Sequence, residues 1–335
     1  MKERIAKIVL DTLPRSLMNR LAGDFLPVFM LHSMVDYDNN PRGRGFLNLN
    51  KALEYTRKKK YKPISLDKLF ISLLNGRSIP ENSVCFTVDD GYVDQVNLIA
   101  PIFSKFDIPL TCFVVTDFID KKIWLWDAQV RYIITHTRLS SFKVNLPDEQ
   151  EYICIMENQI DSSRSIIGRN LINCLKEKDQ TNIYRWLEQL YTAAEVINPT
   201  VPPLAYRSAS WEQLKSFQKA GHWVAPHSKT HPILSQVPEE SARKEIVDSF
   251  SALRKKIPDC SRVFAYPSGR DIDFSIREEK IVMESEMLGA VSAVPSHTVR
   301  QDRITCIPRY GMPNNMFDYM QYLSYIEVLK EKFRS

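Results

Sequence analysis

Residues 83–92 read SVCFTVDDGY, an apolar run that ends in two adjacent carboxylates and a glycine. The run has the composition of a buried strand, and residues 92–106 after it have the apolar pattern of a helix. Asp and Gly are ordinary residues for a turn from strand to helix, so one carboxylate needs no further explanation. Two like charges held close raise the pKa of one of them unless a cation lies beside them. The stretch therefore predicts a strand, a turn and a helix, with a candidate cation site at the turn.

Similar apolar runs recur along the chain, and helix-like stretches separate most of them. The strand-like runs are residues 27–31, 83–88, 110–115, 222–225, 262–266 and 289–294. The helix-like stretches are residues 92–106, 211–220, 239–256 and 274–287. Strands that alternate with helices predict an α/β fold with a parallel sheet, closed either as a (β/α) barrel or as a doubly wound sheet.

Residues 127 to about 205 interrupt this alternation. They are polar and helix-rich and end in NPTVPPLAY, a proline-containing exit. We therefore interpret them as an insertion into one domain of residues 26–335, preceded by an N-terminal segment of residues 1–25.

The composition is ordinary for a folded protein, with 44% hydrophobic and 25% charged residues among 335. Lys and Arg number 45 against 40 Asp and Glu, which is far from the clustered basic surface of a nucleic-acid-binding protein. The six cysteines are scattered without a CxxC pair. This pattern favours a reducing compartment over a disulfide framework.

The first 24 residues carry charge throughout and contain no uninterrupted apolar run, unlike a signal peptide or a spanning helix. We therefore expect a cytoplasmic protein. Apolar residues in the range 1–21 recur at helical spacing between basic residues. This spacing is compatible with a helix packed on its own domain, the commoner outcome, or with an amphipathic helix in peripheral contact with the inner membrane.

Residues 221–236, GHWVAPHSKTHPILSQ, contain three of the six histidines. His227 and His231 form an H-x-x-x-H pair whose rings can reach a common ion. Pro226 and Pro232 disfavour a helix there and predict a loop after a strand, where barrel proteins build their sites. The pair alone fits surface or packing histidines equally well. One Asp and two His with an open position are, however, the ligands of a catalytic divalent metal.

The combined motifs resemble those of the polysaccharide deacetylases, the NodB-like carbohydrate esterases of family 4. TVDDGY (87–92) and HSKTHP (227–232) are similar to that family's first two signature motifs, and FAYPSGR (264–270) to its third. PLTCFVVTDFID (109–120) and WLWDAQVRYII (124–134) resemble a bacterial exopolysaccharide branch with a permuted motif order. The resemblance covers about residues 27–135 and 205–312. It implies a distorted (β/α) barrel of the NodB type with a helix-rich insertion.

The resemblance also implies a role for each matching residue. The second aspartate, Asp90, would hold Zn²⁺ together with His227 and His231, with Co²⁺ or Ni²⁺ as alternative metals. Asp89 would be the general base for an attacking water. The backbone N–H of Ser268 would bind the oxyanion that forms on the acetyl group.

Two departures from the family pattern concern the general acid and the group that orients the base. In most members a histidine of a late motif acts as the general acid, but no histidine follows His297 in this sequence. The permuted branch has it on the first strand, which makes His32 the candidate acid, with a structural histidine as the alternative. Ala265 stands where many members have the arginine that orients the base. Arg309 is our candidate replacement.

Several aromatic residues and two further histidines lie near these motifs. We expect substrate contacts from Tyr92, Trp124, Trp126 and Tyr266. Core packing is an equally good interpretation of the two tryptophans. His222 is expected to be a hydrogen-bonded core histidine, and His297 to lie in a solvated loop.

Taken together, the motifs predict a hydrolase of linear amide C–N bonds that deacetylates N-acetylhexosamine units of an N-acetylated glycan, in a cell-envelope polysaccharide or its precursor, and releases acetate. A carbohydrate O-acetyl esterase is a close alternative, because the same site would hydrolyse esters. A catalytically degenerate carbohydrate-binding domain is another. A degenerate member usually loses a metal ligand or the general base. This sequence has all four residues, Asp89, Asp90, His227 and His231, which favours an enzyme.

Overall fold

The computed structural model describes residues 25–33, 43–156, 161–299 and 303–324. Residues 1–21, for which a surface helix is one expectation, lie outside this range. The strands are β1 Phe25–Leu26, β2 Val28–Leu31, β3 Lys62–Pro63, β4 Ser83–Val88, β5 Thr111–Val114, β6 Ser141–Asn145, β7 Glu151–Ile155, β8 Trp223–Pro226, β9 Val263–Ala265, β10 Gly289–Val291, β11 Thr298–Val299 and β12 Tyr310–Gly311. The α-helices are α1 Gly43–Lys58, α2 Leu66–Leu74, α3 Ala100–Lys105, α4 Thr116–Ile119, α5 Trp126–His136, α6 Asp161–Leu175, α7 Ile183–Ala193, α8 Trp211–Lys219, α9 Glu239–Lys256, α10 Ile276–Glu284 and α11 Met316–Leu323.

The parallel strands form a distorted barrel. Five of them are hydrogen-bonded in the order β12, β2, β4, β5, β8, and β9 pairs with β10 in parallel. The N–H of Ser261 donates to the carbonyl of Val224 at 2.8 Å and joins the start of β9 to β8. Val291 bridges in parallel to Ile307, just before β12, and so connects the other edge of the pair. The predicted NodB-type α/β fold is confirmed.

Alternating side chains of the strands divide between two apolar cores, as the period of a strand requires. One core lies inside the barrel and is closed by helix α2; its strand residues include Val28, Cys85, Phe113, Ala225, Ala265 and Val291. The other lies between the barrel and its outer helices; its strand residues include Phe29, Phe86, Cys112, Val114, Val224 and Phe264. The interior of the barrel is therefore filled by apolar side chains, and a site can form at the carboxyl ends of the strands.

Each of the six strand-like runs overlaps one of the parallel barrel strands, and the four helix-like stretches contain helices. The helix after β4 differs in detail, because residues 95–99 form a π-helical turn before α3 begins. Pro101 has no N–H to donate to the preceding turn, which accounts for the irregular start of α3.

The insertion contains helices α5, α6 and α7 and the antiparallel β6–β7 hairpin. Its buried residues between positions 126 and 194 form an apolar core of their own. All six cysteines are free thiols. Within the described residues, none of the helices combines the length and apolar character needed to cross a membrane.

Candidate active site

The side chains of interest extend the inward-facing series of the barrel strands. The side chain of Cys85 faces the interior of the barrel. Thr87 and Asp89 follow it at every second position along the strand direction and so point to the same side. Ala225 precedes His227 in the same way, and Ile307 precedes Arg309. The ends of parallel strands meet at one edge, so these polar groups converge above the apolar interior.

Asp90, His227 and His231 form a cluster with the chemistry of a metal site. One ligand atom from each lies within 4.8 Å of the other two. The Nε2 atoms of His227 and His231 are 3.6 and 3.5 Å from Oδ1 of Asp90. The two imidazole centroids are 5.0 Å apart. One carboxylate and two imidazoles are a donor set that suits Zn²⁺.

Hydrogen bonds hold both histidines in orientations that suit metal binding. Nδ1 of His227 donates to the carbonyl of Ala265 at 2.7 Å, which leaves the lone pair of Nε2 facing Asp90. The His231 carbonyl accepts a bond from the indole Nε1 of Trp126 at 2.9 Å. The His231 N–H donates to Oγ of Ser228 at 3.0 Å. Through Trp126, the insertion therefore helps to hold the loop that carries His227 and His231.

The turns that carry Asp90 and His231 contain left-handed backbone conformations, which residues other than glycine rarely adopt. Asp90 has φ 90°, Ser228 has φ 67° and His231 has φ 65°. Gly91 has φ 88°, and a Cβ there would lie 2.9 Å from the Ile119 side chain. Such conformations cost free energy and persist where the surrounding structure imposes them, often at functional sites.

The Asp90 turn is held by Gln95, from the π-helical turn. Its amide oxygen accepts from the Gly91 N–H at 3.0 Å, and its amide nitrogen donates to the Asp89 carbonyl. The irregular start of the helix therefore serves to position the two adjacent carboxylates. The sequence offers no signal for this role, because glutamine is common on helices.

The protonation of the cluster is set by burial. Burial lowers the pKa of His227 to about 4 and that of His231 to about 3, so both rings are neutral near pH 7. Burial, with the nearby charges of Asp127 and Asp89, raises the pKa of Asp90 well above its usual range. Neutral imidazoles offer free lone pairs, and a nearby cation favours the ionised form of a carboxyl group whose pKa is raised, so these groups suit metal uptake.

Asp89 forms a bidentate ion pair with Arg309. The two terminal nitrogens of Arg309 donate to Oδ1 and Oδ2 of Asp89, both at 2.7 Å. Arg309 also donates to the Ser292 carbonyl and to Oγ1 of Thr87, and both partners of the pair are buried. Burial acts to raise the pKa of Asp89, but Arg309 and His227 outweigh it and lower that pKa to about 2.

His32 and Ser268 lie at the ends of β2 and β9. His32 keeps an exposed surface, and desolvation lowers the pKa of its imidazole while the charge of Asp89 acts to raise it. Oγ of the next residue, Ser33, donates to Asp94 at 2.9 Å and anchors this loop to the helix after β4. Ser268 has φ 59° and follows Pro267 at the same end of the barrel.

Two of the predicted substrate contacts need correction. Trp126 has no exposed surface and Tyr266 has 1%; the hydroxyl of Tyr266 donates to the Thr305 carbonyl. Both side chains pack and position the backbone, and neither presents a face to a sugar. Tyr92 and Trp124 are 8% and 6% exposed, in an aromatic cluster with Tyr206.

The other two histidines differ in outcome. His222 is buried with Nε2 2.9 Å from Oγ of Ser104, as predicted for a core histidine. His297 lies in a loop, as expected, but the expectation that it is solvated was wrong: it is 7% exposed and contacts the ring of Phe25. Strand β11 pairs with β1 beside it, a contact across the whole chain that local composition does not reveal.

Sequence patterns did not identify Asp127, which lies on the first turn of α5, next to Trp126. Its carboxylate contributes to the raised pKa of Asp90 and lies 3.7 Å from the Arg131 guanidinium. Oδ1 is buried and accepts no hydrogen bond within the described residues. The signal was available in WLWDAQ, where an acidic residue interrupts an aromatic run.

Both the sequence and the fold of this chain are similar to those of known proteins. Residues 76–288 match the family model described as polysaccharide deacetylase. A Streptococcus pyogenes deacetylase solved with acetate has 16% identity and a TM-score of 0.57, over 91% of this chain and 97% of its own. A de-N-acetylase from Aggregatibacter actinomycetemcomitans has 14% identity and a TM-score of 0.56, over 90% and 100%. IcaB from Ammonifex degensii has 14% identity and a TM-score of 0.55, over 90% and 97%. No match was found among curated protein sequences.

The family match spans more than half of the chain and includes Asp90, His227 and His231. The chain belongs to the polysaccharide deacetylase family. It is a hydrolase of amide bonds, and the reaction class is deacetylation of a polysaccharide.

Proposed function

We propose that this protein is a divalent-metal-dependent deacetylase that removes acetyl groups from N-acetylhexosamine units of a cell-envelope polysaccharide or its precursor. The observation that carries the proposal is the Asp90, His227 and His231 cluster, with the ion-paired Asp89 adjacent to it in sequence. A metal-binding set and a separate ionised carboxylate are the two components that metal-assisted hydrolysis needs.

The residues fit a metal. Nδ1 of His227 is engaged by a carbonyl, so Nε2 is the available donor, and the three ligand atoms already lie close together. Asp90, His227 and His231 would hold Zn²⁺, with Co²⁺ or Ni²⁺ as alternatives. A metal bound there supplies a Lewis acid that polarises the acetyl carbonyl and acidifies a water molecule.

Asp89 would accept the proton of the attacking water. Its lowered pKa keeps the carboxylate ionised at neutral pH, and Arg309 fixes the direction of both oxygens. A carboxylate of low pKa is a weak base, so it suits a water that is itself acidified. Arg309, immediately before β12, would take the role of the arginine that many family members have at the position of Ala265.

The two remaining roles concern the acetyl oxygen and the leaving amine. The backbone N–H of Ser268, at the end of β9, would donate to the oxyanion that develops during attack. His32 would protonate the nitrogen of the leaving amine. Desolvation lowers the pKa of its imidazole, and the nearby charge of Asp89 offsets part of this effect. The exposed surface of His32 gives it access to solvent protons.

The proposal is tested by acetate release from a tetramer of N-acetylglucosamine. The purified protein, stripped with a chelator and dialysed, should release no acetate, and stoichiometric Zn²⁺ should restore release. His231→Ala, treated in the same way, is the matched control and should not recover at that metal concentration. Full activity of the stripped protein, or equal recovery of the variant, would contradict the proposal.

A further inference from the structure

Glu245, on helix α9, binds the loop that carries His227 and His231. Its Oε2 atom accepts hydrogen bonds from the backbone N–H of Lys229 at 2.8 Å and from that of Thr230 at 2.7 Å. Its Oε1 atom accepts from the hydroxyl of Thr230 at 2.7 Å. Both carboxylate oxygens of Glu245 are therefore engaged by this one loop.

The position of Glu245 on α9 explains how a charged residue reaches the loop. The buried side of this helix includes Ala242, Ile246 and Ser249. Residues three and four apart share one side of a helix, and Glu245 lies three positions after Ala242 and four before Ser249. Its side chain is half-buried, so the carboxylate meets the loop where little water competes for its hydrogen bonds.

The two backbone donors belong to successive residues and converge on one oxygen. Successive N–H groups at a turn form a concave binding site for an anion. The residues on either side, Ser228 and His231, have left-handed φ angles of 67° and 65°. In the described part of the chain, the N–H groups of Lys229 and Thr230 have no other acceptor. Without the carboxylate, this backbone shape would leave two donors with no partner in the protein.

The carbonyl groups of the same loop are held from other directions. The Lys229 carbonyl accepts from the N–H of Asp117, at the start of α4, at 3.0 Å. The Thr230 carbonyl accepts from the hydroxyl of Tyr184, on helix α7 of the insertion, at 2.7 Å. Barrel and insertion thus fix the carbonyl side of the loop, and Glu245 fixes its N–H side.

We infer that Glu245 is a positioning residue, which sets the metal affinity of the site by holding the loop that carries both histidines, without itself being a ligand. The inference rests on the proposed function for the presence of the metal. Lys229 and Thr230 immediately precede His231, so their orientation determines where its imidazole points. Ligands that are already in place bind a metal more tightly, because no ordering is needed on binding.

The test is competition for Zn²⁺ between the purified full-length protein and a chromophoric chelator. Glu245→Ala removes all three hydrogen bonds and should weaken zinc binding by at least about 10-fold. Glu245→Gln keeps an oxygen that can accept from both N–H groups, so it should bind zinc at least about 3-fold more tightly than Glu245→Ala. Glu245→Asp is one methylene too short to reach the loop as Glu245 does, and it should weaken zinc binding by roughly 3- to 10-fold.

Glu240→Ala is the matched control. Glu240 is an exposed residue of the same helix and pairs with Lys244 at 2.7 Å, so its variant should bind zinc like the wild type. Far-UV circular dichroism of the metal-free variants shows which of them are folded, and Glu245→Asp decides the question if Glu245→Ala does not fold.

A residue that only stabilises the fold would leave the zinc affinity of the folded Glu245 variants unchanged, and that result overturns the inference. A Glu245→Gln variant that binds zinc no more tightly than a folded Glu245→Ala overturns it too. Acetate release separates these outcomes from failure of the proposed function. A wild type that binds zinc and releases acetate, while folded Glu245 variants keep wild-type affinity, refutes the positioning role alone. A wild type and variants with the expected order of zinc affinities, but no acetate release by the wild type, refute the proposed function alone.

Discussion

Arg309 donates hydrogen bonds to both carboxylate oxygens of Asp89, each at 2.7 Å, although the two residues are 220 positions apart in the sequence. Asp89 follows β4 and Arg309 precedes β12, and these two strands pair with opposite edges of β2. The ion pair therefore joins two distant parts of the chain and fixes the carboxylate that we assign as the base.

Removal of this guanidinium should damage both stability and activity. Arg309→Met leaves the buried Asp89 charge without its partner, which typically costs about 3–5 kcal/mol. Turnover should fall as well, because the carboxylate loses its orientation and its lowered pKa. Urea unfolding and acetate release measure the two effects.

Arg243→Met is the control for that variant. Arg243 and its partner Glu284, 2.9 Å apart, are both 41% exposed, so the loss of this pair should cost about 1 kcal/mol or less. If Arg309→Met unfolds as readily as the control and retains turnover, the pair has neither role.

The contribution of His231 to the stability of the metal-free protein should fall as the pH falls from about 7 to 4. The folded-state pKa of His231, about 3, is below that of an exposed histidine, so the unfolded chain binds the proton first in this window. The contribution of His231 is present above its unfolded pKa and should fall by about 3 kcal/mol by pH 4. Urea unfolding of wild type and His231→Gln at each pH isolates it, because other groups are common to both. A stability difference that does not change with pH would contradict the neutral, buried assignment.

The indole of Trp126 should contribute to metal affinity without touching the metal. Trp126→Phe removes the hydrogen bond to the His231 backbone carbonyl and should weaken metal binding by roughly 3- to 10-fold, the effect of one lost hydrogen bond. Trp186→Phe is a matched control, because its Nε1 donates to the Asn145 carbonyl inside the insertion. Competition with a zinc chelator compares the two. Equal affinities would mean that Trp126 only packs.

The general-acid role of His32 predicts dependence on the leaving group. His32→Ala should lower amide hydrolysis by roughly 10²- to 10⁴-fold with the metal content unchanged. An activated aryl acetate leaves as the anion, so its hydrolysis should fall much less. His136→Ala, on the exposed end of α5, serves as the control. Similar losses on both substrates would point to a misplaced site, and no loss on either would make His32 structural.

The sequence predicted the elements that depend on local patterns. The six strands and the H-x-x-x-H loop were predictable because strand composition and Pro226 and Pro232 act within a few residues. The burial of His297, by contrast, depends on the β1–β11 pairing, which joins distant parts of the chain. The burial of Trp126 and Tyr266 was also beyond local patterns, because aromatic residues suit a core and a sugar site equally well.

The assignment of Asp89 as base and Asp90 as ligand is tested most directly by the metal content and turnover of two purified variants. Asp89→Asn should retain one equivalent of zinc and lose acetate release, because the base lies outside the metal-binding set. His231→Ala should lose both the zinc and the activity. Equal loss of zinc in the two variants, or acetate release by Asp89→Asn at the wild-type rate, would contradict the account.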